Sequence, residues 1–459
     1  MLRFSLIVLV LSSAFAQDLR PGYQPFRYDE DWSFLADASK RKDWLDSVKF
    51  LSLAHPGWYI TLGGEIRERY ELLDQPVFGI GPTDTTGYLL QRYLLSSDFH
   101  LGSRFRFFTE LQSGLEEGRS GGPRPTDLDR LDVHQAFLDW RISGTGKQGV
   151  VLRLGRQEIG FGSGRLIAAA EGLNLRRSLD GARLEIKRGR VVWNATALRL
   201  VLVNPGIVDN IPDHAQTFWG TGFIMPRPFW KVANIGVYYL GFDHKKSIFS
   251  KGVGREIRET AGFHAWKRPA SSWDYDDEGL VQWGSFRGAP IRAWALSEDV
   301  GYTFDRAPLR PRVGFRADAS SGDQGQQHRS LGSFDPLFAA VPVYSGPSAL
   351  LGATNLIDAT LSVRLRLAES VGLTLESSTF WRESLFDSVY SPFNTPIRPA
   401  LPNAGRYVAT APSLTVSWQA TQHIFYAAIY SHFLTGDFFQ VALPRRDVNY
   451  FTGWISYRF

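Results

Sequence analysis

Arginines recur at every second position through this chain, and that spacing is the feature most able to do chemistry. In Ile357–Leu367, Asp358, Thr360, Ser362, Arg364 and Arg366 share one parity, while Ile357, Ala359, Leu361, Val363, Leu365 and Leu367 share the other. Arg67 and Arg69 oppose Ile60, Leu62 and Ile66; Arg92 opposes Tyr93 and Leu95; Arg104 and Arg106 oppose Phe105 and Phe107. Arg141 likewise opposes Leu138 and Trp140, Arg183 opposes Ala182 and Leu184, and Arg312 and Arg316 oppose Val313 and Phe315. A guanidinium stays ionised and presents a planar fork that matches a carboxylate with two hydrogen bonds. Only about ten of the 51 basic residues are Lys, so Arg supplies about forty. A single arginine on such a face serves equally well as half of an internal ion pair, because Asp and Glu share the same parity. As a set, the arginines point to a surface that attracts carboxylate-bearing anions. Arg156 departs from the rule by sharing parity with Leu152 and Leu154. Either a bulge at Gly155 swings it to the polar side, or it sits beyond the rim of the apolar band.

Other constellations carry less. Gly160-Phe-Gly-Ser-Gly164 is glycine-rich, but no Lys-Ser/Thr follows it, so it reads as a turn leaving a strand rather than a phosphate cradle. Asp127, Asp129 and Asp132, and Asp274, Asp276 and Asp277, lack the spacing of a calcium loop. The nine His show no metal-ligand spacing, and with no Cys there is no disulfide, thiolate site or cysteine nucleophile. No carboxylate pair stands out as an acid–base couple. The expectation is therefore no enzyme, no metal and no cofactor. The balance of 51 basic against 46 acidic residues gives no case for nucleic acid.

Alternation of this kind belongs to β-strands with one apolar and one polar face. It recurs in about 18 stretches, from about 58–71 to 447–459, including ones at about 231–243 and 257–268. Short connections (for example 102, 189–190, 226–230, 269–271 and 368–370) alternate with mostly long ones such as 72–86, 118–130, 160–179, 321–354 and 383–406. That asymmetry is the mark of a barrel threading a membrane, with short periplasmic turns and long extracellular loops. The last ten residues agree. Phe451, Ile455, Tyr457 and Phe459 share one parity, and Thr452, Ser456 and Arg458 the other, in a strand that runs to the terminus. A terminal strand that pairs with the first strand closes such a barrel. Residues 1–16 have the basic start, apolar run and Ala14-Phe15-Ala16 end of a signal peptide. The fold expected is all-β: a transmembrane antiparallel up-and-down β-barrel over 57–459, preceded by a periplasmic or barrel-mouth segment at 17–56. The apolar parity should face lipid and the polar parity a water-filled interior.

Several runs carry a resemblance: Tyr88–Arg92, Gly121–Trp140, Leu154–Leu166, Asn174–Leu184, Pro212–Gly220, Trp273–Glu278, Ile291–Phe304, Leu351–Asp358 and Phe380–Ser384. In combination they resemble the alginate export family of outer-membrane barrels, over essentially the whole mature chain. The resemblance implies an 18-stranded Gram-negative outer-membrane barrel whose electropositive pore passes an anionic polysaccharide by diffusion. It assigns the pore wall to Arg67, Arg69, Arg92, Arg104, Arg106, Arg141, Arg153, Arg183, Arg316, Arg364 and Arg366. The loops 160–179 and 321–354 are long enough to fold into the mouth, where Arg165, Arg176 and Arg177 would constrict it. The partners implied are outer-membrane lipid, an anionic polysaccharide or other carboxylate solute, and periplasmic export machinery. A monomer is expected, for want of a trimer-forming feature. The alternatives are a general or small-anion porin, and an adhesive barrel with a closed lumen.

Overall fold

A chain that crosses hydrocarbon must bond each backbone N–H and C=O to itself, because no water is there to do so. The computed structural model describes residues 22–80, 83–145, 148–226, 233–267, 272–340, 346 and 348–459. The expected signal peptide at 1–16 lies outside the described residues, as do the expected turn at 269–271 and most of that at 226–230. Eighteen strands form the wall: β1 Trp58–Leu73, β2 Tyr88–Leu101, β3 Phe105–Glu117, β4 Asp129–Ser143, β5 Gly149–Gln157 and β6 Leu179–Arg188. β7 Val191–Leu202, β8 Gln216–Met225, β9 Asn234–Phe249, β10 Gly252–Lys267, β11 Trp273–Phe286 and β12 Ala289–Thr303 follow. β13 Arg312–Ser320, β14 Leu356–Ala368, β15 Val371–Arg382, β16 Tyr407–Gln419, β17 Ile424–Thr435 and β18 Val448–Arg458 complete it. Each pairs antiparallel with its sequence neighbour, and β18 returns to pair with β1 from Glu65↔Arg458 to Leu73↔Tyr450. Phe459 finishes the seam: its carbonyl accepts from Gly64 N–H at 2.9 Å and its N–H donates to Gly64 O at 3.1 Å. The closed ring leaves no sheet edge.

Closure fixes which side chains face in. On β14 the outward Leu361 is 65% exposed, while the inward Asp358 and Thr360 are 1% and 3% exposed. The connections also follow the expected alternation, except at two short ones on the long-loop side. β9 and β10 run on to Phe249 and from Gly252, joined only by Ser250 and Lys251, where the sequence suggested strands ending near 243 and restarting near 257. β11 and β12 are joined as tightly, by Arg287 and Gly288. The wall is taller here because it has something to hold. Phe249 and Phe286 face inward and pack with Leu331, Phe334 and Phe338 of the loop that follows β13.

The lumen is therefore furnished rather than bare. Phe218, Leu240, Phe242 and Leu280 lie on the inward parity of β8, β9 and β11, packed with Ile159, Leu166 and Ile167 of the loop after β5. A second apolar cluster joins Phe380 and Phe433 to Phe78, Phe438 and Phe439 from the loops after β1 and β17. The N-terminal segment supplies a third: Tyr28 meets Phe108 and Phe137 edge-on, with ring centroids 6.0 and 5.4 Å away. Inward apolar residues thus occur where a loop, not water, covers them.

The parity assignment is directly testable. Leu361 lies midway along β14 on the lipid face, so Leu361→Arg should lower unfolding free energy in lipid vesicles by about 2–4 kcal/mol, the depth-dependent cost of a lipid-facing Arg. A denaturant titration that finds Leu361→Arg as stable as wild type would place this face inside.

Candidate pore lining and constriction

Strand register sets arginine against arginine. Arg67 lies directly opposite Arg92 on β1 and β2, Arg153 opposite Arg183 on β5 and β6, and Arg312 opposite Arg364 on β13 and β14. Like charges directly opposite repel, so each pair demands counter-charge from elsewhere. The supply is unequal within a pair. Arg92 bonds Glu65 at 2.5 Å and Glu171 at 2.6 Å, whereas Arg67 donates to the backbone carbonyls of Glu171 and Leu173 at 3.1 and 2.5 Å. Arg153 holds Asp139 through two bonds of 2.7 and 2.9 Å and lies over the rings of Phe137 and Tyr28, 3.8 and 4.2 Å from their centroids. Arg183 donates to the Asn194 amide oxygen at 2.9 and 3.1 Å and to Glu185 at 3.1 Å. Arg312 holds Asp274 at 2.6 Å and Asp299 at 3.2 Å, while Arg364 acts on Glu376.

The remaining arginines of the expected wall fall in two zones. Arg69 bonds Glu71 at 2.7 Å, Tyr450 Oη at 2.8 Å and the Gly172 carbonyl at 2.6 Å. Arg106 holds Asp98 with two 2.7 Å bonds, and Arg316 holds Asp318 at 3.2 Å. Arg104, Arg141 and Arg366 sit at the short-turn end: Arg104 is exposed in the turn between β2 and β3, Arg141 donates to Gln148 O at 3.2 Å, and Arg366 pairs with Glu369 at 3.3 Å. Arg156 stays on the outer face. The pairs Ala136↔Arg156 and Phe137↔Gly155 continue the register without a bulge, and Arg156 bonds Asp180 at 2.8 and 3.1 Å.

The loop after β5 enters the lumen because the wall makes room. Gly114 on β3 faces inward, and a Cβ there would strike the Leu175 side chain. Within this loop Arg176 clasps Glu158 at 2.5 and 2.7 Å and donates to Pro25 O at 2.7 Å. Arg165 lies 3.3 Å from Asp276 and 3.4 Å from Asp318, across to β11 and β13. Arg177 donates to the Ala168 and Phe338 carbonyls at 3.2 and 2.6 Å. Burial pulls its pKa down to about 10, so it stays charged at neutral pH. Arg176 and Arg177 therefore tie the loop to the N-terminal segment and to the loop after β13, respectively.

The parity of the strands gave no sign of the residues supplied by the N-terminal segment. Arg106 donates to the Tyr28 carbonyl, Tyr28 Oη to Glu158 O at 2.9 Å, and Arg27 to Phe459 O at 2.5 Å. Asp29, solvent-exposed, lies in the field of Arg153, Arg183, Arg106 and Lys187. A Cβ at Gly63 would lie 2.8 Å from the Arg27 guanidinium, so the bare backbone there lets the segment approach. The only foreshadowing in the sequence was the aromatic and acidic content of Tyr28–Ala54.

In three ion pairs that border open space the cation is the outer member, whereas Glu185 is as exposed as Arg183 and Glu369 is more exposed than Arg366. Side-chain exposure is 19% for Arg106 against 7% for Asp98, 19% for Arg458 against 5% for Glu65, and 30% for Arg124 against 1% for Asp127. Beneath the inserted loop the order reverses, with Arg92 at 0% and Glu171 at 15%.

A closed 18-stranded barrel with a charged inner wall and inserted loops is an outer-membrane channel of the porin kind, seated in lipid and passing solutes. The family model for alginate export matches residues 58–452, and the chain belongs to that family. No match is found among curated proteins. Among solved structures the fold is similar to that of Pseudomonas aeruginosa OccK2 (OpdF), crystallised with glucuronate, at 12% identity and TM-score 0.58 over 87% of this chain and 97% of that one. It is similar also to a BenF-like porin from Pseudomonas fluorescens Pf-5, at 10% identity and TM-score 0.59 over 87% and 98%. Pseudomonas aeruginosa OpdK with vanillate gives 10% identity and TM-score 0.58 over 87% and 98%.

Lys49 provides a pH handle on the N-terminal segment. Its ammonium is buried without a hydrogen-bond partner among the described residues, between the rings of Tyr23 and Trp32 at 5.5 and 5.1 Å. Desolvation, with the nearby Arg27 charge, lowers its pKa to about 7. A free lysine keeps its proton to about pH 10. Between these limits the undocked segment binds more protons than the docked one, so docking tightens as pH rises from about 7 towards 10 and is weakest below 7. Amide exchange at residues 22–50, corrected for intrinsic rates, should slow on going from pH 7 to pH 9, and Lys49→Met should remove the dependence.

Proposed function

We propose that the barrel is a passive conduit for an anionic, carboxylate-bearing solute, foremost a uronic-acid polysaccharide of the alginate kind leaving the cell. The observation that carries this reading is the set of cross-strand arginine pairs, joined to the outer position of the cation in the Arg106–Asp98, Arg458–Glu65 and Arg124–Asp127 pairs. Arg183 lies opposite Arg153, whose carboxylate partner Asp139 is already engaged, and a fifth of its side chain is open, whereas Arg67 is held beneath the inserted loop by neutral carbonyls. A solute carboxylate meeting such a fork gains charge-assisted bonds, while water on the far side keeps each contact weak enough to release. Asp29, among Arg106, Arg153, Arg183 and Lys187, occupies the kind of place a solute carboxylate would take. Of the remaining expected wall residues, Arg69, Arg104, Arg141, Arg316, Arg364 and Arg366 extend the path, and Arg92 anchors the loop after β5. Arg165, Arg176 and Arg177 would hold its constriction. The unit acts as a monomer, and the exposed Trp44 of the N-terminal segment gives periplasmic export machinery an apolar foothold.

A second reading, a porin for small anions, is favoured by the filling of the lumen. The loops after β1, β5, β13 and β17 and the N-terminal segment pack against the inner wall, which suits single carboxylates better than a chain. OccK2 and OpdK, barrels of the same fold, were crystallised with glucuronate and vanillate.

Planar-bilayer recordings on the purified full chain separate these. The conduit reading expects an anion-selective conductance that uronate oligomers block more strongly as they lengthen. Arg106→Glu and Arg183→Glu should each weaken the block by about tenfold or more, as expected for losing an ionic hydrogen bond of about 1.5–3 kcal/mol. Block independent of oligomer length would select the small-anion porin, and absence of conductance would refute both.

A further inference from the structure

β4 contains a one-residue bulge: pairing with β3 runs through Glu110↔Gln135 and resumes at Leu111↔Val133, leaving His134 unpaired. A bulge turns two successive side chains towards one face. His134 and Gln135 are accordingly both buried in the lumen, 4% and 0% exposed. There His134 Nε2 lies 2.8 Å from Glu158 Oε1, and one ligand atom from each of Glu110, His134 and Glu158 falls within 4.8 Å of the other two.

The groups around this trio behave as an outer shell. Gln135 donates from Nε2 to Glu110 Oε1 at 3.0 Å and accepts the Glu158 backbone N–H on its Oε1 at 3.1 Å, fixing the Glu110 carboxylate and the backbone at Glu158. Arg176 clasps Glu158 with two bonds. Metal-binding carboxylates are commonly oriented by such second partners. One oxygen is left over. Glu110 Oε2 has no hydrogen-bond partner among the described residues, although Glu110 is only 1% exposed. Two carboxylates against the single guanidinium of Arg176 leave one buried negative charge that a proton or a cation must answer, because an unpaired buried carboxylate is strongly disfavoured.

We propose that Glu110, His134 and Glu158 form a binding site for a divalent transition metal, with zinc the ion best suited to two carboxylate oxygens and an imidazole. Glu110 and His134 belong to neighbouring wall strands and Glu158 opens the inserted loop. The metal would therefore staple that loop, with Arg165, Arg176 and Arg177, to the wall. The inference concerns a cation and does not depend on which solute passes.

The test uses the full chain in detergent, stripped with chelator and titrated with zinc chloride by calorimetry, alongside Glu110→Gln and His134→Gln. Wild type should take up about one zinc per chain, with binding at least tenfold weaker in each variant and a zinc-dependent rise in melting temperature confined to wild type. Glu110→Gln removes the buried charge without changing shape, so it should fold even if His134→Gln does not. No stoichiometric uptake by wild type would mean that a proton answers Glu110, and it would overturn the proposal. Equal uptake by wild type and Glu110→Gln would do the same, by placing the zinc elsewhere.

Discussion

The backbone seam between β1 and β18 is the constraint on which everything else in this protein depends. In hydrocarbon an unpaired strand edge has no solvent to satisfy it, so the ring must close. Once Glu65 is set against Arg458 and Gly64 against Phe459, the inward parity of every strand follows. Side-chain chemistry enters only after that. Arg67 meets Arg92 across β1 and β2 because register leaves no alternative.

Inside the ring, packing and charge divide the work. The inward aromatics of β8, β9 and β11 take up the apolar sides of two loops, which spares those loops an exposed face. Polar side chains cover the remaining wall, and there some arginines outreach their acids, as Arg106 does Asp98 and Arg458 does Glu65. A long guanidinium extends beyond the short carboxylate that holds its stem, so on the proposed reading a nearly neutral set of pairs would still present positive charge to the lumen. Desolvation explains the reversal under the loop after β5: Arg92 is covered by loop carbonyls as well as by Glu65 and Glu171.

Much of this was legible in the sequence, because β-structure reduces facing to parity. Leu361 and Arg364 declare their sides by spacing alone, and the closing strand by its alternate aromatics. Three things were hidden. Counter-charges arrive from remote segments, as Glu171 does for Arg92, so no local pattern identifies the partner of a given arginine. Strands apolar on both faces, such as β9 with Phe242 inward and Val237 outward, look like ordinary strands although they mark where loops dock. A bulge also shifts parity unannounced. That conceals His134, whereas the bulge considered at Gly155 does not occur and Arg156 keeps its outer place beside Asp180.

The claim most open to contradiction is that the open lumen carries a positive field. Zero-current potential across a bilayer holding the full chain, under a potassium chloride gradient, reads that field through its sign. It is best measured near 0.1 M, where screening acts over about 10 Å. The account expects the potential of a chloride-preferring channel, declining as salt is raised. A potassium-preferring or unselective potential at low salt would contradict it.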